Sequence, residues 1–407
     1  MKSKSNKIFI RKIFSEWYQK NYSKLILPPE FEKREFGFFT FKEGVVIRHK
    51  RFTNLKELLD FIKENTPSDI YYSAAYYENP EAEMEYKGWL GADLVFDIDA
   101  DHVESPCDRK HDFWICKNCK RQGFGSHPRE CPDCGESKFE EISWMCKVCL
   151  ESAKDEAIKL VDVLVGDFSF SQEEIKVFFS GHRGYHLHIE SKAVRELKQD
   201  ERKEIVDYLM AVGLNPKFHG VNFQNIPSVG EAGWRGRMAM GAYQFLLEAS
   251  ESELKAIGIK GRTLKKIIDE KDAILEALSS GRKLIPKGIG LKTLIKIYSA
   301  GAKKQSIKID PVVTVDIHRL IRLGGSLHGK TGLMKIEVPT ESIESFNPFK
   351  NALAFKNGEI KVKTLYDLPE LIFSDEIYGP FKANKIIEVP TQVAVFFACK
   401  NVAEVVM

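Results

Sequence analysis

The chain has 407 residues, 43% of them hydrophobic, and a formal net charge of only +3 at pH 7. This length exceeds one ordinary hydrophobic core, so we expect one large domain with insertions or two to three domains. The small net charge neither requires nor excludes a nucleic-acid partner. No apolar run reaches the length of a membrane span and the N-terminus lacks the apolar segment of a signal peptide, which predicts a cytoplasmic protein with no membrane partner.

The N-terminal part of the chain alternates between helical and extended patterns. Apolar residues at helical spacing predict helices, and short aromatic or β-branched runs predict strands. Thr53 or Asn54 is expected to cap the second helix. In chain order, the predictions are a helix over 7–22, strands over 34–39 and 45–48 joined by a turn at Glu43-Gly44, a helix over 55–65 and a strand over 70–76.

The next predicted strand, over 93–101, carries a pair of acids. Alternation places Asp97 and Asp99 on the same face, about 6–7 Å apart at Cα. Such a pair can share divalent cations and is costly to leave unpaired beside hydrophobic neighbours. The alternative interpretation is a strand that runs out into an acidic turn containing Asp101.

Seven of the eight cysteines lie within residues 107–149, which in a reducing compartment favours zinc over disulfides. Each CxxC turn presents two thiolates, and eight ligands make two tetrahedral sites. We expect a nested arrangement, although the spacing also permits other pairings. Because closed sites leave no open coordination position, their role would be structural or in nucleic-acid contact. The inner ribbon site would consist of Cys116, Cys119, Cys131 and Cys134, and the outer site of Cys107, His111, Cys146 and Cys149.

Beyond the cysteine-rich block, helical and extended patterns of apolar residues alternate again. It predicts a helix over 151–166, two strands within 175–189 joined by a turn, and a helix over 198–212. Residues 248–302 show helical periodicity with glycine and proline breaks, which predicts an inserted helical subdomain. Extended chain is expected to resume over 307–317.

The turn between the two strands of 175–189 holds groups that suit a polyphosphate. Arg183 supplies a fixed cation and Ser180 a hydroxyl donor, and the flanking glycines permit close backbone approach. His186 follows on the second strand. Two other interpretations stay open, a metal pair formed by His186 and His188, or a structural histidine at 188.

The segment 310–332 is rich in glycine and basic residues. Arg322, His328 and Lys330 lie on or beside a glycine-flanked loop, where the backbone can approach phosphate closely. Asp310 and Asp316 are two further acids. Spacing alone does not decide which of them would join the acidic pair of the earlier strand.

Three of these motifs together resemble the catalytic small subunit of archaeal and eukaryotic DNA primases. They are Val95–Asp99, Ser180–His186, and the segment from Asp310 through Arg322 to His328. The resemblance implies an α/β fold of the primase-polymerase type, with a mostly antiparallel catalytic sheet flanked by helices and a zinc-binding module. With the inserted subdomain, the domains would be a catalytic core of 1–106, 150–247 and 303–407, a zinc module of 107–149, and a helical subdomain of 248–302.

The resemblance also implies roles for the site residues. Asp97, Asp99 and Asp310 would be the catalytic carboxylates and would hold two Mg²⁺ or Mn²⁺ ions. Asp316 is the rival third acid, and Arg34 would lie near the template or nucleotide. The residues expected to bind the incoming triphosphate are Ser180, Arg183, His186, Arg322 and His328, to which Lys330 adds its charge.

The implied activity is that of a nucleotidyltransferase that makes primers in DNA replication, polymerising NTPs or dNTPs on a single-stranded DNA template. The implied partner is a large regulatory subunit in a heterodimer that works in the cytoplasm at the nucleoid. The inner zinc ribbon stands as an insertion in the family's zinc motif, so the resemblance does not supply its role. Two alternatives are a primase-polymerase in repair or lesion bypass and a noncatalytic zinc-ribbon protein that binds single-stranded DNA.

Overall fold

The structure, a computed structural model, describes residues 4–42, 45–222, 226–280 and 288–406. It contains helices and antiparallel sheets, so the predicted fold class is confirmed. The predicted turn at Glu43-Gly44 lies outside the described residues. Within them, no helix is both long enough and apolar enough to cross a membrane.

The strands are short and pair antiparallel. They are β1 (Phe36–Phe39), β2 (Val46–Lys50), β3 (Asp69–Ser73), β4 (Ala75–Tyr77), β5 (Trp89–Ala92), β6 (Leu94–Asp99), β7 (Phe113–Cys116), β8 (Gln122–Phe124), β9 (Phe139–Ile142), β10 (Ile175–Phe179), β11 (Gly184–Ile189), β12 (Leu320–Arg322), β13 (Ile336–Val338), β14 (Glu359–Thr364), β15 (Leu371–Phe373), β16 (Glu376–Tyr378), β17 (Ile386–Pro390) and β18 (Ala403–Val405).

The helices vary widely in length. They are α1 (Lys4–Asn21), α2 (Leu55–Asn65), α3 (Lys147–Gly166), α4 (Lys192–Arg195), α5 (Gln199–Leu209), α6 (Gly233–Glu248), α7 (Glu251–Ala256), α8 (Gly261–Asp269), α9 (Lys271–Ser280), α10 (Leu291–Gln305), α11 (Pro311–Val315), α12 (Pro348–Asn351) and α13 (Thr391–Lys400). The predicted helix over 55–65 is α2, and Asn54 caps it by accepting a hydrogen bond from the Glu57 N–H at 3.0 Å.

Two four-stranded sheets carry the predicted site motifs. One has the strand order β13–β10–β11–β6. It therefore places β6, the acidic strand that carries Asp97 and Asp99, beside β11, the strand that follows the phosphate-type turn of residues 180–183. The other has the order β12–β3–β1–β2 and ends with the strand that contains Arg322. The strand pairing thus brings together the motifs of β6 and β11, which lie far apart in the sequence.

The prediction of extended chain over 307–317 is wrong, because residues 311–315 form the short helix α11. The β-branched residues of this segment favour a strand, but two stronger local signals oppose it. Asp310 accepts a hydrogen bond from the Val312 N–H, and Pro311 occupies the first helical position, where its missing N–H costs nothing.

The chain divides into two compact units. The first comprises Met1–Ile158, Gln172–Arg202 and Ile309–Met407, and the second comprises Lys159–Ser171 and Lys203–Lys308. The second unit contains the predicted insertion 248–302 together with residues 203–247. In it α6 and α10 approach so closely that a Cβ on Gly241 would lie 2.1 Å from the Gly301 oxygen.

Candidate active site and zinc-binding groups

The acidic strand β6 lies directly against β11. Their antiparallel register sets Asp97 opposite His186 and Asp99 opposite Gly184. The His186 Nε2 is 3.4 Å from the Asp97 Oδ1. Glycine is required at 184, since a Cβ there would lie 2.1 Å from the Ile98 oxygen. The phosphate-type turn that precedes β11 is therefore held against the end of the acidic strand.

Asp310 lies beside the acidic pair. Its N–H donates to the Asp97 carbonyl oxygen at 2.9 Å, while its carboxylate caps α11 through the Val312 N–H. At the other end of α11, the Asp316 carboxylate accepts a hydrogen bond from the His318 N–H at 2.9 Å. Of the two acids that the spacing left open, Asp310 is the one that the structure brings next to Asp97.

At the end of the acidic strand, neighbouring carboxylates raise the pKa values of Asp97 and Asp99. Burial, reinforced by the charges of Asp99 and Asp310, raises the pKa of Asp97 to about 7. Burial also raises the pKa of Asp99, with the charge of Asp101 as the next cause. The pKa of His186 is lowered well below its usual value by burial and by neighbouring cations. The site therefore concentrates negative charge that a bound cation would relieve.

A cavity of about 450 Å³ opens over the acidic pair. It combines carboxylates with guanidinium, imidazole and ammonium groups, which is the composition expected where a phosphate group and divalent cations bind together. Arg319 also lines it, although the motif analysis did not assign it a role. The predicted site residues in its lining are Asp97, Asp99, Ser180, His186, Arg322, His328 and Lys330.

Arg322 is held by two side chains that the sequence analysis missed. Asp69 forms an ion pair with its guanidinium, and the Tyr71 hydroxyl accepts a hydrogen bond from Nη2 at 2.8 Å. Asp69 also accepts a hydrogen bond from the Gly329 N–H at 2.9 Å, next to His328. Burial opposes ionisation of Asp69, but the charges of Arg322 and His328 outweigh it and lower the pKa of Asp69. Asp69 thus contacts both Arg322 on β12 and the glycine loop that follows this strand and contains His328 and Gly329.

Arg183, which was expected to bind triphosphate, does not line this cavity. Its side chain is 2% exposed and forms ion pairs with Asp101 and, at 2.9 Å, with Asp112. It also donates a hydrogen bond to the Trp144 carbonyl oxygen at 3.2 Å. Asp112 in turn lies 2.9 Å from the His111 Nδ1. The structure therefore places Arg183 between the end of the acidic strand and the zinc-binding segment.

Arg34, expected near the template or nucleotide, is fully buried. It forms a 2.6 Å ion pair with Asp93 and donates hydrogen bonds to the carbonyl oxygens of Ser73 and Ala74, each at 3.0 Å. These partners engage its guanidinium inside the protein, where it joins the end of β3 and the residue after it to the residue before β6.

The histidine of the turn before β11, His182, also lines the cavity. Its ring stacks on that of His328, with centroids 5.2 Å apart. The Lys400 Nζ lies 2.9 Å from the His182 Nε2 and 3.3 Å from the Ser143 Oγ. Lys400 lies near the end of the chain, far from every motif, so no spacing in the sequence pointed to it.

The eight predicted zinc ligands form two groups, arranged in the nested way. Within each group, the candidate ligand atoms all lie within 4.8 Å of one another. Sulfur and imidazole nitrogen are the donors that zinc takes in structural sites, so both groups can bind zinc. The outer group is Cys107, His111, Cys146 and Cys149, and the inner group is Cys116, Cys119, Cys131 and Cys134.

Comparisons with known proteins agree with the resemblance seen in the sequence. A sequence model of the family described as DNA primase small subunit matches residues 130–339. The chain is 36% identical over 406 residues to the DNA primase small subunit PriS of Archaeoglobus fulgidus, with 97% of each chain covered. It is 32% identical over 403 residues to PriS of Nitrosopumilus maritimus, with 98% of each covered. It is 33% identical over 400 residues to PriS of Pyrobaculum calidifontis, covering 97% of this chain and 99% of that one.

These relatives match over nearly their whole length at 32% identity or more. The match is not confined to the cysteine-rich block or to one sheet, so it extends to the strands and loops that form the cavity. The predicted enzyme class, a DNA primase, is confirmed, and the chain belongs to the DNA primase small subunit family.

Proposed function

We propose that this chain synthesises primers on single-stranded DNA by metal-dependent nucleotidyl transfer from NTPs or dNTPs. One observation carries the proposal: a single cavity contains the acidic pair and the basic groups Arg322, His328 and Lys330, and Asp310 adjoins the acidic pair. In the heterodimer expected for this family, a large regulatory subunit would be the partner.

The three carboxylates fit hard divalent cations. Asp97, Asp99 and Asp310 offer only oxygen donors, as Mg²⁺ and Mn²⁺ prefer, and their crowding raises the pKa of Asp97. Mg²⁺ or Mn²⁺, when bound there, would lower the pKa of the attacking 3′-hydroxyl and offset charge on the triphosphate. Asp97 must lose its proton to serve as a ligand, so its raised pKa makes metal binding weaker below neutral pH.

The basic groups of the cavity would bind and orient the triphosphate. Arg322 presents a guanidinium that Asp69 and Tyr71 hold in place, so little side-chain entropy remains to be lost on binding. His328 and Lys330 follow on the glycine loop. Arg183 acts differently in this proposal, because it positions the end of the acidic strand through Asp101.

The two groups of sulfur and imidazole ligands would each hold a structural Zn²⁺ ion. Neither group includes a cavity-lining residue, so zinc would support the fold of the segment and would not take part in the transfer. The Asp112 contact to His111 and Arg183 would connect the outer zinc site to the acidic strand.

The test is primer synthesis by the purified chain. Single-stranded DNA is incubated with labelled NTPs or dNTPs, with and without Mg²⁺ or Mn²⁺, and with and without an annealed primer. We expect labelled products that require template and metal but no primer. Products that appear only with the primer would favour the primase-polymerase alternative, and no product under any condition would overturn the proposal.

The control for this assay is Asp97→Ala. It should abolish synthesis while leaving the chain folded and its zinc content unchanged, because Asp97 touches neither zinc group. An Asp97→Ala variant that still made primers would show that the acidic pair is not the catalytic site.

A further inference from the structure

The second unit contains an internal repeat that no motif of the active site accounts for. Residues 258–268 and 288–298 are identical at six of eleven positions. The shared residues are a glycine followed by isoleucine, then Thr-Leu, and then Lys-Ile. A repeat of this kind indicates that one structural unit occurs twice.

Both copies adopt the same local structure. Gly258 and Gly288 stand three residues before a helix in the two copies and have left-handed φ values of +78° and +101°, which favour glycine. The helix that follows is α8 in the first copy and α10 in the second. Equivalent apolar residues are buried in each copy, namely Ile259 and Ile289, Leu264 and Leu294, and Ile267 and Ile297.

The two copies pack on one another reciprocally. The Lys296 Nζ donates a hydrogen bond to the Gly258 carbonyl oxygen at 2.6 Å. The equivalent lysine of the first copy, Lys266, lies against the equivalent glycine of the second, where a Cβ on Gly288 would be 3.2 Å from its Cδ. This exchange of equivalent contacts gives the two copies an approximate twofold relation, like that of an isologous interface.

The same segment is strongly basic. Residues 255–308 hold fourteen lysines and arginines against four acids, although the whole chain carries a net charge of only +3. Four of these cations, Lys260, Arg262, Lys265 and Lys292, are exposed, and no carboxylate among the described residues pairs with them. Arg262 and Lys292 occupy equivalent positions in the two copies. The repeat therefore presents matching unpaired cations.

We propose that this basic repeat binds the sugar–phosphate backbone of double-stranded nucleic acid. Phosphate backbones attract exposed lysine and arginine without regard to sequence. The two strands of a duplex are antiparallel and related by local twofold axes, so Arg262 and Lys292 would each contact one strand. This site goes beyond the proposed function, which places the single-stranded template and nucleotide at the cavity of the first unit.

The test measures binding of the full chain to a labelled duplex of about 20 base pairs by fluorescence anisotropy, without nucleotides. The variant Arg262→Glu/Lys292→Glu should weaken binding at least about 10-fold and lower the slope of log affinity against log salt by about two, one for each lost phosphate contact. The matched control is Lys203→Glu/Lys217→Glu, which makes the same charge change at exposed lysines of the same unit. It should change the affinity less than about 3-fold.

Each other outcome overturns the inference. Unchanged duplex binding, or an equal loss in the control, would show that the repeat makes no specific contact. An equal loss on a single strand of the same length would exclude the twofold contact with a duplex. If the charge reversal lowers the thermal unfolding midpoint, Arg262→Gln/Lys292→Gln replaces it, with a slope change of the same size expected. Because no nucleotides are present, the result does not depend on primer synthesis.

Discussion

Asp112 contacts a predicted zinc ligand and a buried arginine at the same time. Its carboxylate lies 2.9 Å from the His111 Nδ1 and pairs with Arg183. Asp112→Asn should lower zinc affinity about 10- to 100-fold, as loss of a ligand's hydrogen-bond partner does. It should also lower the free energy of unfolding, because the buried Arg183 loses one of its two carboxylate partners. The loss should be only about 2–3 kcal/mol, since Arg183 keeps its ion pair with Asp101. Zinc titration and urea unfolding measure the two effects.

The control for Asp112 is Asp108→Asn in the same segment. The Asp108 side chain is 74% exposed, and its partner Lys110 is 82% exposed, so its removal should change stability by less than about 0.5 kcal/mol. Equal effects of the two substitutions would contradict the role given to Asp112.

Lys400 is a buried lysine whose titration should be visible in stability. Burial, assisted by the charges of Arg183 and Lys330, lowers the pKa of Lys400 from 10.5 to about 7. Between these values the unfolded chain holds a proton that the folded chain has released, so stability from this group rises with pH from about 7 to about 10.5. Lys400→Met should remove this rise.

The measurement for Lys400 is urea unfolding at about pH 7 and about pH 9. The unmodified chain should gain stability relative to Lys400→Met between the two conditions. Lys361→Met, an exposed lysine on β14, serves as the control and should behave like the unmodified chain. A gain of the same size in Lys400→Met would contradict the burial of a neutral lysine.

At the scale of elements, the two zinc groups should behave differently. Cys149 of the outer group lies in the first turn of α3, a helix of 20 residues. In the inner group Cys116 ends the short strand β7; Cys116 and Cys131 are buried, and Cys119 and Cys134 are exposed. We predict two zinc ions per chain, one for each group. Cys119→Ser/Cys134→Ser should leave one ion with little change in the unfolding midpoint. Cys146→Ser/Cys149→Ser should also leave one ion but lower the midpoint, since the first turn of α3 would no longer be bound to zinc.

Elemental analysis and thermal unfolding of these two double variants test the prediction. A zinc content that stays at two in either variant would show that its cysteines are not ligands. An equal change in the midpoint would show that the two groups contribute alike to stability.

Elements were predictable from sequence wherever a local signal was unopposed. The period of α2 and its Asn54 cap agree with each other, and both appear in the structure. In α11 the signals conflicted, because β-branched residues favour a strand while Asp310 and Pro311 start a helix. The cap and proline outweighed the weaker propensity, which is why the extended prediction failed.

At the scale of the whole molecule, residue types were easier to predict than their partners. The histidines, arginines and acids of the motifs indicated phosphate and metal chemistry, and most of them line one cavity. Arg183 could not be assigned in this way, because its partner Asp112 lies 71 residues earlier. Asp69 likewise contacts Arg322 across 253 residues. Such pairings follow from how the sheets assemble, which no local pattern specifies.

In the function that we propose, Asp310 completes a catalytic acid cluster with Asp97 and Asp99. The most direct measurement is the rate of primer synthesis by Asp310→Asn, with Asp316→Asn as the matched control from the other end of α11. We predict that Asp310→Asn lowers the rate at least about 100-fold, while Asp316→Asn stays within about 3-fold of the unmodified chain. An active Asp310→Asn variant, or an inactive but folded Asp316→Asn variant, would contradict the assignment.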